Sequence, residues 1–118
     1  MKLDEAVVVV TGAGSGIGRA IAIACGAAGA QVVCCGRRLE PLQETVAAIT
    51  ADAGSAEAVP LDTTNFGRVQ GAADTVLERH GRIDVLINNA GRFASVAPLW
   101  EADPENWWQD VTVNLLGT

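Results

Sequence analysis

The chain has 118 residues, 49% of them apolar and 19% charged, with a formal net charge of −6. That length supports one hydrophobic core and excludes two, and the composition is that of a globular chain and not of a disordered one. Acidic residues are scattered and the only basic cluster is the pair Arg37-Arg38, which argues against nucleic acid as a partner; no apolar run has the length of a membrane span or the form of a signal peptide, so a cytoplasmic protein is expected.

In chain order, Ala6 to Val10 is a continuous apolar run of strand length, as expected of a strand buried on both faces. The segment TGAGSGIG follows at 11–18, and helical spacing takes over at Ile17, Ala20, Ile21, Ala24, Cys25 and Ala28, up to a stop at Gly29. Gln31 to Cys35 predicts a second strand. Within it Cys34 and Cys35 point to opposite faces and read as small buried apolar side chains, since neither they nor Cys25 have metal-ligand spacing.

Leu39, Leu42, Val46 and Ile49 line one face of a second helix beginning around Pro41, and Ala56 to Leu61 predicts a third strand. Phe66, Val69, Ala73, Val76 and Leu77 mark a third helix ending near Gly81, where His80 is expected to interact with the last carbonyls. Ile83 to Ile87 predicts a fourth strand. After a loop, DPEN starts a last helix with Asp103 as N-cap and Pro104 at the first helical position.

Strand and helix alternating with short connections indicate an α/β fold, a doubly wound parallel sheet covered by helices on both faces. Right-handed crossovers put the first strand in the centre and give the order 3-2-1-4, with a ligand crevice above the carboxyl ends of strands one and four. TGAGSGIG lies at that crevice. Glycine permits positive φ and close approach of a phosphate, and the helix behind it offers free N–H groups and a positive partial charge.

The spacing narrows the motif. GxGxxG fails in every frame, because its third glycine would fall on Ile17 or Arg19, and no Gly-Lys-Ser/Thr follows. TGxxxGxG fits, with Thr11, Gly12, Gly16 and Gly18. Together with NNAG at Asn88 to Gly91, Asp62 in LDTT and Asn114 in VTVNLLGT, it makes the sequence resemble the short-chain dehydrogenase/reductase family over essentially its whole length. The resemblance implies a Rossmann-type fold, of which residues 1–118 form the N-terminal portion of a single dinucleotide-binding domain, its second half incomplete.

The same resemblance implies that Ser15, Gly16 and Ile17 contact the cofactor's phosphates or ribose, within the cradle shaped by Gly12 and Gly18. Asp62 and Thr63 border the adenine, with Asp62 equally able to cap a helix. Asn89, Ala90 and Gly91 form a wall along the adenine-side ribose, and Asn88 reads equally as a site residue or a tie between strands. Where a carboxylate would bind the ribose 2′-hydroxyl of NAD, at the end of the second strand, the sequence has Gly36 followed by Arg37 and Arg38. A guanidinium fork holds a phosphate through two N–H bonds, so NADP(H) is the expected cofactor and NAD(H) the alternative.

In the family a Tyr and a Lys four residues later supply the proton, and a Ser on the fifth strand polarises the carbonyl. This sequence has no tyrosine and its only lysine is Lys2. Asn114 is the one catalytic-network residue the resemblance assigns, while Trp107 and Trp108 read as packing or subunit-interface residues. The expectation is therefore the front portion of a chain roughly twice as long, with the fourth strand left as an apolar edge. The function it implies is an NADP(H)-dependent oxidoreductase interconverting a small-molecule carbonyl and alcohol, homo-oligomeric at full length and without a metal. The alternative is a non-catalytic dinucleotide-binding fragment or sensor module.

Overall fold

The computed structural model describes residues 2–118. Its elements are β1 (Val7–Thr11), α1 (Gly16–Ala27), β2 (Gln31–Gly36), α2 (Leu39–Ala51), β3 (Ser55–Pro60), α3 (Phe66–His80), β4 (Val85–Ile87) and α4 (Pro104–Val111), the last passing into a π-helical turn at Thr112–Leu116. The sheet is parallel throughout and ordered β3-β2-β1-β4, as the alternation of elements requires. Val8 sits in register with Val32 on one side and Val85 on the other. Among the described residues no helix is long and apolar enough to cross a membrane.

Alternate side chains of the central strand feed two cores, which is what winds helices onto both faces. Val8 and Val10 join Ala22, Cys25, Leu42 and Ile49 under α1 and α2. Val7 and Val9 join Val33, Cys35, Leu61 and Val76 under α3. Val8 and Val10 are wholly buried, and each such side chain contributes about 1.5–3 kcal/mol through removal of apolar surface from water. Cys34 and Cys35 divide between the two cores as their alternation predicts, and burial pushes their thiols up to about 11 and about 12. Neither is a thiolate at neutral pH.

Three expectations about packing require correction. The face of α1 turned inward is Gly18, Ala22, Cys25 and Gly26, while Ile17, Ala20, Ala24 and Ala28 lie outside. Close approach decides this: a Cβ at Gly18 would collide with the Gly12 carbonyl oxygen, and one at Gly26 would come within 2.6 Å of the Ile49 side chain. Small residues one helical turn apart let α1 lie against its neighbours, and that outweighs burying isoleucine.

In α3 only Val76 is buried, and Phe66 remains 81% exposed. His80 does not cap this helix. Gly81, at φ +75°, ends it by donating its own N–H to the Leu77 carbonyl at 2.8 Å, while the His80 ring meets Glu57 of β3 at 2.8 Å. At α4, Asp103 occupies the N-cap position without a side-chain hydrogen bond to the helix. Among the described residues β4 pairs with β1 alone, and Leu86 is exposed.

Candidate dinucleotide site

The carboxyl ends of β1, β2 and β3 and the segment after β4 surround a cavity of about 360 Å³, within the range of small-ligand sites. Its floor is the glycine loop. Gly12 and Gly16 take positive φ, +66° and +53°, a region costly for any residue with a Cβ. A Cβ at Gly12 would also come within 2.9 Å of the Ala90 backbone, whereas at Gly16 nothing lies within 4 Å. Gly12 serves contact with the fourth strand's end, and Gly16 leaves open space.

At the start of α1 the N-cap, Ser15, makes no side-chain hydrogen bond to the helix, and no acidic residue occupies the first turn. Its first N–H groups thus face an exposed surface at Ser15, Gly16 and Ile17 without a carboxylate to neutralise them. That suits an anion. Gly18 is placed beneath the loop, against the Gly12 carbonyl and the Asn89 amide, and not at the cavity surface.

Braces hold the loop from behind. The Arg19 guanidinium donates to the Gly14 carbonyl at 2.6 Å, to Glu44 at 3.1 Å and to the buried Thr45 hydroxyl at 3.0 Å. Thr45 in turn donates to the Ala13 carbonyl at 2.8 Å. The loop is therefore tied to α2 by side chains that apolar periodicity does not register. Thr45 stands three residues after Leu42 and four before Ile49, and that helical spacing is the signal that places it inward.

At the opposite wall, Thr11 Oγ1 accepts from the Asn89 N–H at 3.0 Å and the Ala90 N–H at 2.9 Å. The Asn89 side-chain amide donates to the Thr11 carbonyl at 3.1 Å and the Gly12 carbonyl at 3.3 Å. The tie between strand ends is thus Asn89, whereas Asn88 is exposed and borders an apolar groove under α3. Ala90 and Gly91 line the cavity.

At the other end of the cavity stand Gly36, Arg37 and Arg38. Both arginines are exposed, and among the described residues neither guanidinium makes a hydrogen bond. Asp62 and Thr63 line the same cavity. Asp62 Oδ1 accepts from the Thr64 hydroxyl at 2.7 Å and the Thr64 N–H at 3.0 Å. Those hydrogen bonds, with the charge of Arg37, hold its carboxyl below the usual carboxylate range. Asp62 caps a turn, not a helix: the N-cap of α3 is Asn65, whose side chain accepts from the Arg68 N–H at 3.0 Å.

Asn114 lies in the π-helical turn, and its amide spans the backbone of one residue. Oδ1 accepts from the Arg92 N–H and Nδ2 donates to the Arg92 carbonyl, both at 2.7 Å. The loop after NNAG is held to this turn as one strand is held to another. Arg92 and Asp110, neither singled out by motif, complete that junction with an ion pair of 2.5 Å. Their signal was charge placement: Asp110 stands four residues before Asn114, one turn away on the same helical face.

Residues 6–118 match the family model described as short chain dehydrogenase. The chain is similar to a 3beta-hydroxysteroid dehydrogenase of Mediterraneibacter gnavus, 37% identical over 97% of this chain and 41% of that protein. It is similar also to the crystal structure of a metagenomic short-chain oxidoreductase in complex with NADP (TM-score 0.90, 40% identity, 99% of this chain and 53% of that one). A short chain dehydrogenase/reductase from Burkholderia phymatum in complex with NAD superposes with a TM-score of 0.92 at 36% identity, over 99% of this chain and 41% of that one. The chain therefore spans 41–53% of the length of these relatives. With its glycine loop, NNAG wall and 3-2-1-4 sheet in the arrangement just described, the chain belongs to the short-chain dehydrogenase family.

Proposed function

We propose that this chain is the cofactor-binding half of an NADP(H)-dependent oxidoreductase that interconverts a small-molecule carbonyl and an alcohol. The observation that carries the cofactor choice is at the end of β2. Gly36 presents no carboxylate there, and Arg37 and Arg38 line the same cavity as the glycine loop. The relative bound to NADP supports this reading, and the one bound to NAD marks the alternative.

The residues fit the group. The uncapped, acid-free start of α1 at Ser15, Gly16 and Ile17 would hold the pyrophosphate. Arg37 and Arg38 would take the 2′-phosphate, Asp62 and Thr63 would border the adenine, and Asn89, Ala90 and Gly91 would wall the ribose. When bound, the nicotinamide supplies the hydride. Asn114 belongs to the catalytic network in this reading, and because its amide is engaged with Arg92 it acts through the placement of its turn.

The 118 residues contain no tyrosine and no lysine beyond Lys2. That observation favours, as a second reading for the chain by itself, a binding or sensor module without turnover. The proposal extends to a cytoplasmic setting, which suits three free thiols, and to a homo-oligomer, which suits the exposed Leu99, Trp100 and Trp108. Calorimetric titration with NADPH and NADH tests the core of it. Tighter binding of NADPH is expected; tighter binding of NADH, or of neither, would overturn it.

A further inference from the structure

The loop that follows NNAG carries a side-chain arrangement unrelated to the glycine motif. Arg92 lines the cavity next to Gly91. Its guanidinium turns away, along α4. One nitrogen donates to the Asn106 carbonyl at 2.9 Å and to Asp110 Oδ1 at 2.5 Å, and the other donates to the Asn106 side-chain oxygen at 2.9 Å.

Asp110 is the most buried charged residue of this region, 8% exposed. Besides Arg92 it accepts from two consecutive peptide groups of the same loop, Ala94 N–H at 3.1 Å and Ser95 N–H at 2.8 Å, both to Oδ2. One carboxylate thus receives the loop's side-chain cation and its backbone donors together. Two turns of helix and π-helix, from Asn106 to Asn114, hold residues 92–95 at both ends. The fit at Gly91 is close, since a Cβ there would lie 3.3 Å from Asn114 Oδ1.

A buried carboxylate is stable only with its charge paired and its lone pairs filled. Here those requirements are met by the loop, through Arg92 and the Ala94 and Ser95 N–H groups. The consequence reaches the cavity, because Gly91 and Arg92 form its wall at the end away from Arg37 and Asp62.

We infer that Arg92 and Asp110 are positioning residues for cofactor binding: their ion pair, joined by the Ala94 and Ser95 N–H groups, fixes the Gly91–Arg92 wall of the cavity. The inference rests on the dinucleotide reading given above. It assigns the pair to the Gly91–Arg92 wall, which runs along the adenine-side ribose in that reading, and leaves the arginines of the β2 end untouched.

Two variants of the 118-residue chain test it, Asp110→Asn, which keeps the shape and removes the charge, and Arg92→Met, which keeps the bulk and removes the donors. Each is titrated with NADPH and with adenosine 2′,5′-bisphosphate, which keeps the adenine-side ribose, and its urea denaturation is measured beside them. The expected result is a Kd raised about five- to tenfold for both ligands, the scale of indirect coupling through a packed element, with each variant still fully folded at the titration temperature. A loss of affinity that only follows a loss of folded protein would mean general destabilisation and overturn the inference, as would no loss for either ligand.

Amide hydrogen exchange supplies an arm that needs no ligand. Faster exchange at Ala94 and Ser95 in Asp110→Asn, with β1 and β2 amides unchanged, is expected; unchanged exchange at those two residues overturns the lock. If the unsubstituted chain binds neither ligand, the dinucleotide reading falls and the cofactor-positioning role falls with it, while the exchange result still decides whether the loop is locked.

Discussion

Thr11 and Asn89 hold each other by opposite groups: the Thr11 hydroxyl oxygen accepts from the Asn89 N–H at 3.0 Å, and the Asn89 side chain donates to the Thr11 carbonyl at 3.1 Å. The last residue of β1 and the segment after β4 are thereby joined where sheet pairing has already stopped at Ile87. Without this tie, the glycine loop and the NNAG wall would be two independent loops. With it, they are one rigid rim.

Thr11→Val therefore leaves two backbone donors, Asn89 N–H and Ala90 N–H, without their acceptor in a partly buried place. The expected loss is about 1–3 kcal/mol of stability, the desolvation penalty of unmet donors. Thr11→Ser keeps the oxygen and should lose less than Val does. Urea denaturation of the three proteins checks this, and equal stability of Thr11→Val and the unsubstituted chain contradicts the tie.

Gly18→Ala tests the close approach of α1 to the loop. Its new methyl would meet the Gly12 carbonyl oxygen and the Asn89 amide, both of which are already committed. Backbone must shift, and overpacking of that kind costs about 1–3 kcal/mol. Ala20→Gly on the exposed side of the same helix should cost only the propensity difference of about 1 kcal/mol. Thermal melts of both variants discriminate a packing glycine from a merely permissive one.

The strand order was legible because alternation of apolar runs and helical stripes leaves a parallel sheet little freedom, and the glycine loop because its spacing is read directly. What failed were decisions made by side-chain reach. Ile17 scores as core by hydrophobicity, yet α1 turns its glycines inward because only they fit against Gly12 and Ile49. Asp62 resembles a helix cap in sequence, but Asn65, three residows nearer the helix's own first N–H groups, takes that place. The Asn89 tie and the Arg92–Asp110 pair join residues far apart in sequence, where no local pattern reports the contact.

Acid sensitivity follows in part from three aspartates held below their usual range. Asp62 is lowered by the Thr64 hydroxyl and N–H, Asp84 by Arg82 and the Val7 N–H, and Asp110 by the Ser95 and Ala94 N–H groups with Arg92. A carboxylate whose folded value is depressed stabilises the fold fully above its unfolded value, near 3.9 for Asp as an approximate reference, and that contribution is lost as pH falls through the folded value. Stability should thus be flat in these groups from neutrality down to about pH 5 and fall below it. Asp84→Asn should shallow the acid limb of a urea-midpoint profile measured against pH; a limb of unchanged slope would refute the assignment for that residue.

In the proposed reading the choice between NADP(H) and NAD(H) is set at Gly36 and Arg37, and substitutions there test it. A Cβ at Gly36 would lie 3.1 Å from the Leu42 side chain, close enough that the leucine must yield slightly, so Gly36→Asp changes packing as well as charge. Gly36→Ala carries the packing change alone and serves as its control. An aspartate at this place repels a 2′-phosphate and can accept from a ribose 2′-hydroxyl, while Arg37→Ala removes a charge-assisted donor pair of the kind that contributes about 1.5–3 kcal/mol. The double variant Gly36→Asp/Arg37→Ala should consequently move the ratio of NADPH to NADH affinity by about tenfold or more toward NADH, since 1.4 kcal/mol is about a factor of ten. Gly36→Ala should weaken both cofactors alike and leave the ratio where it was. A ratio unchanged in the double variant, or moved equally by Gly36→Ala, would remove the β2 end from the choice between the two cofactors.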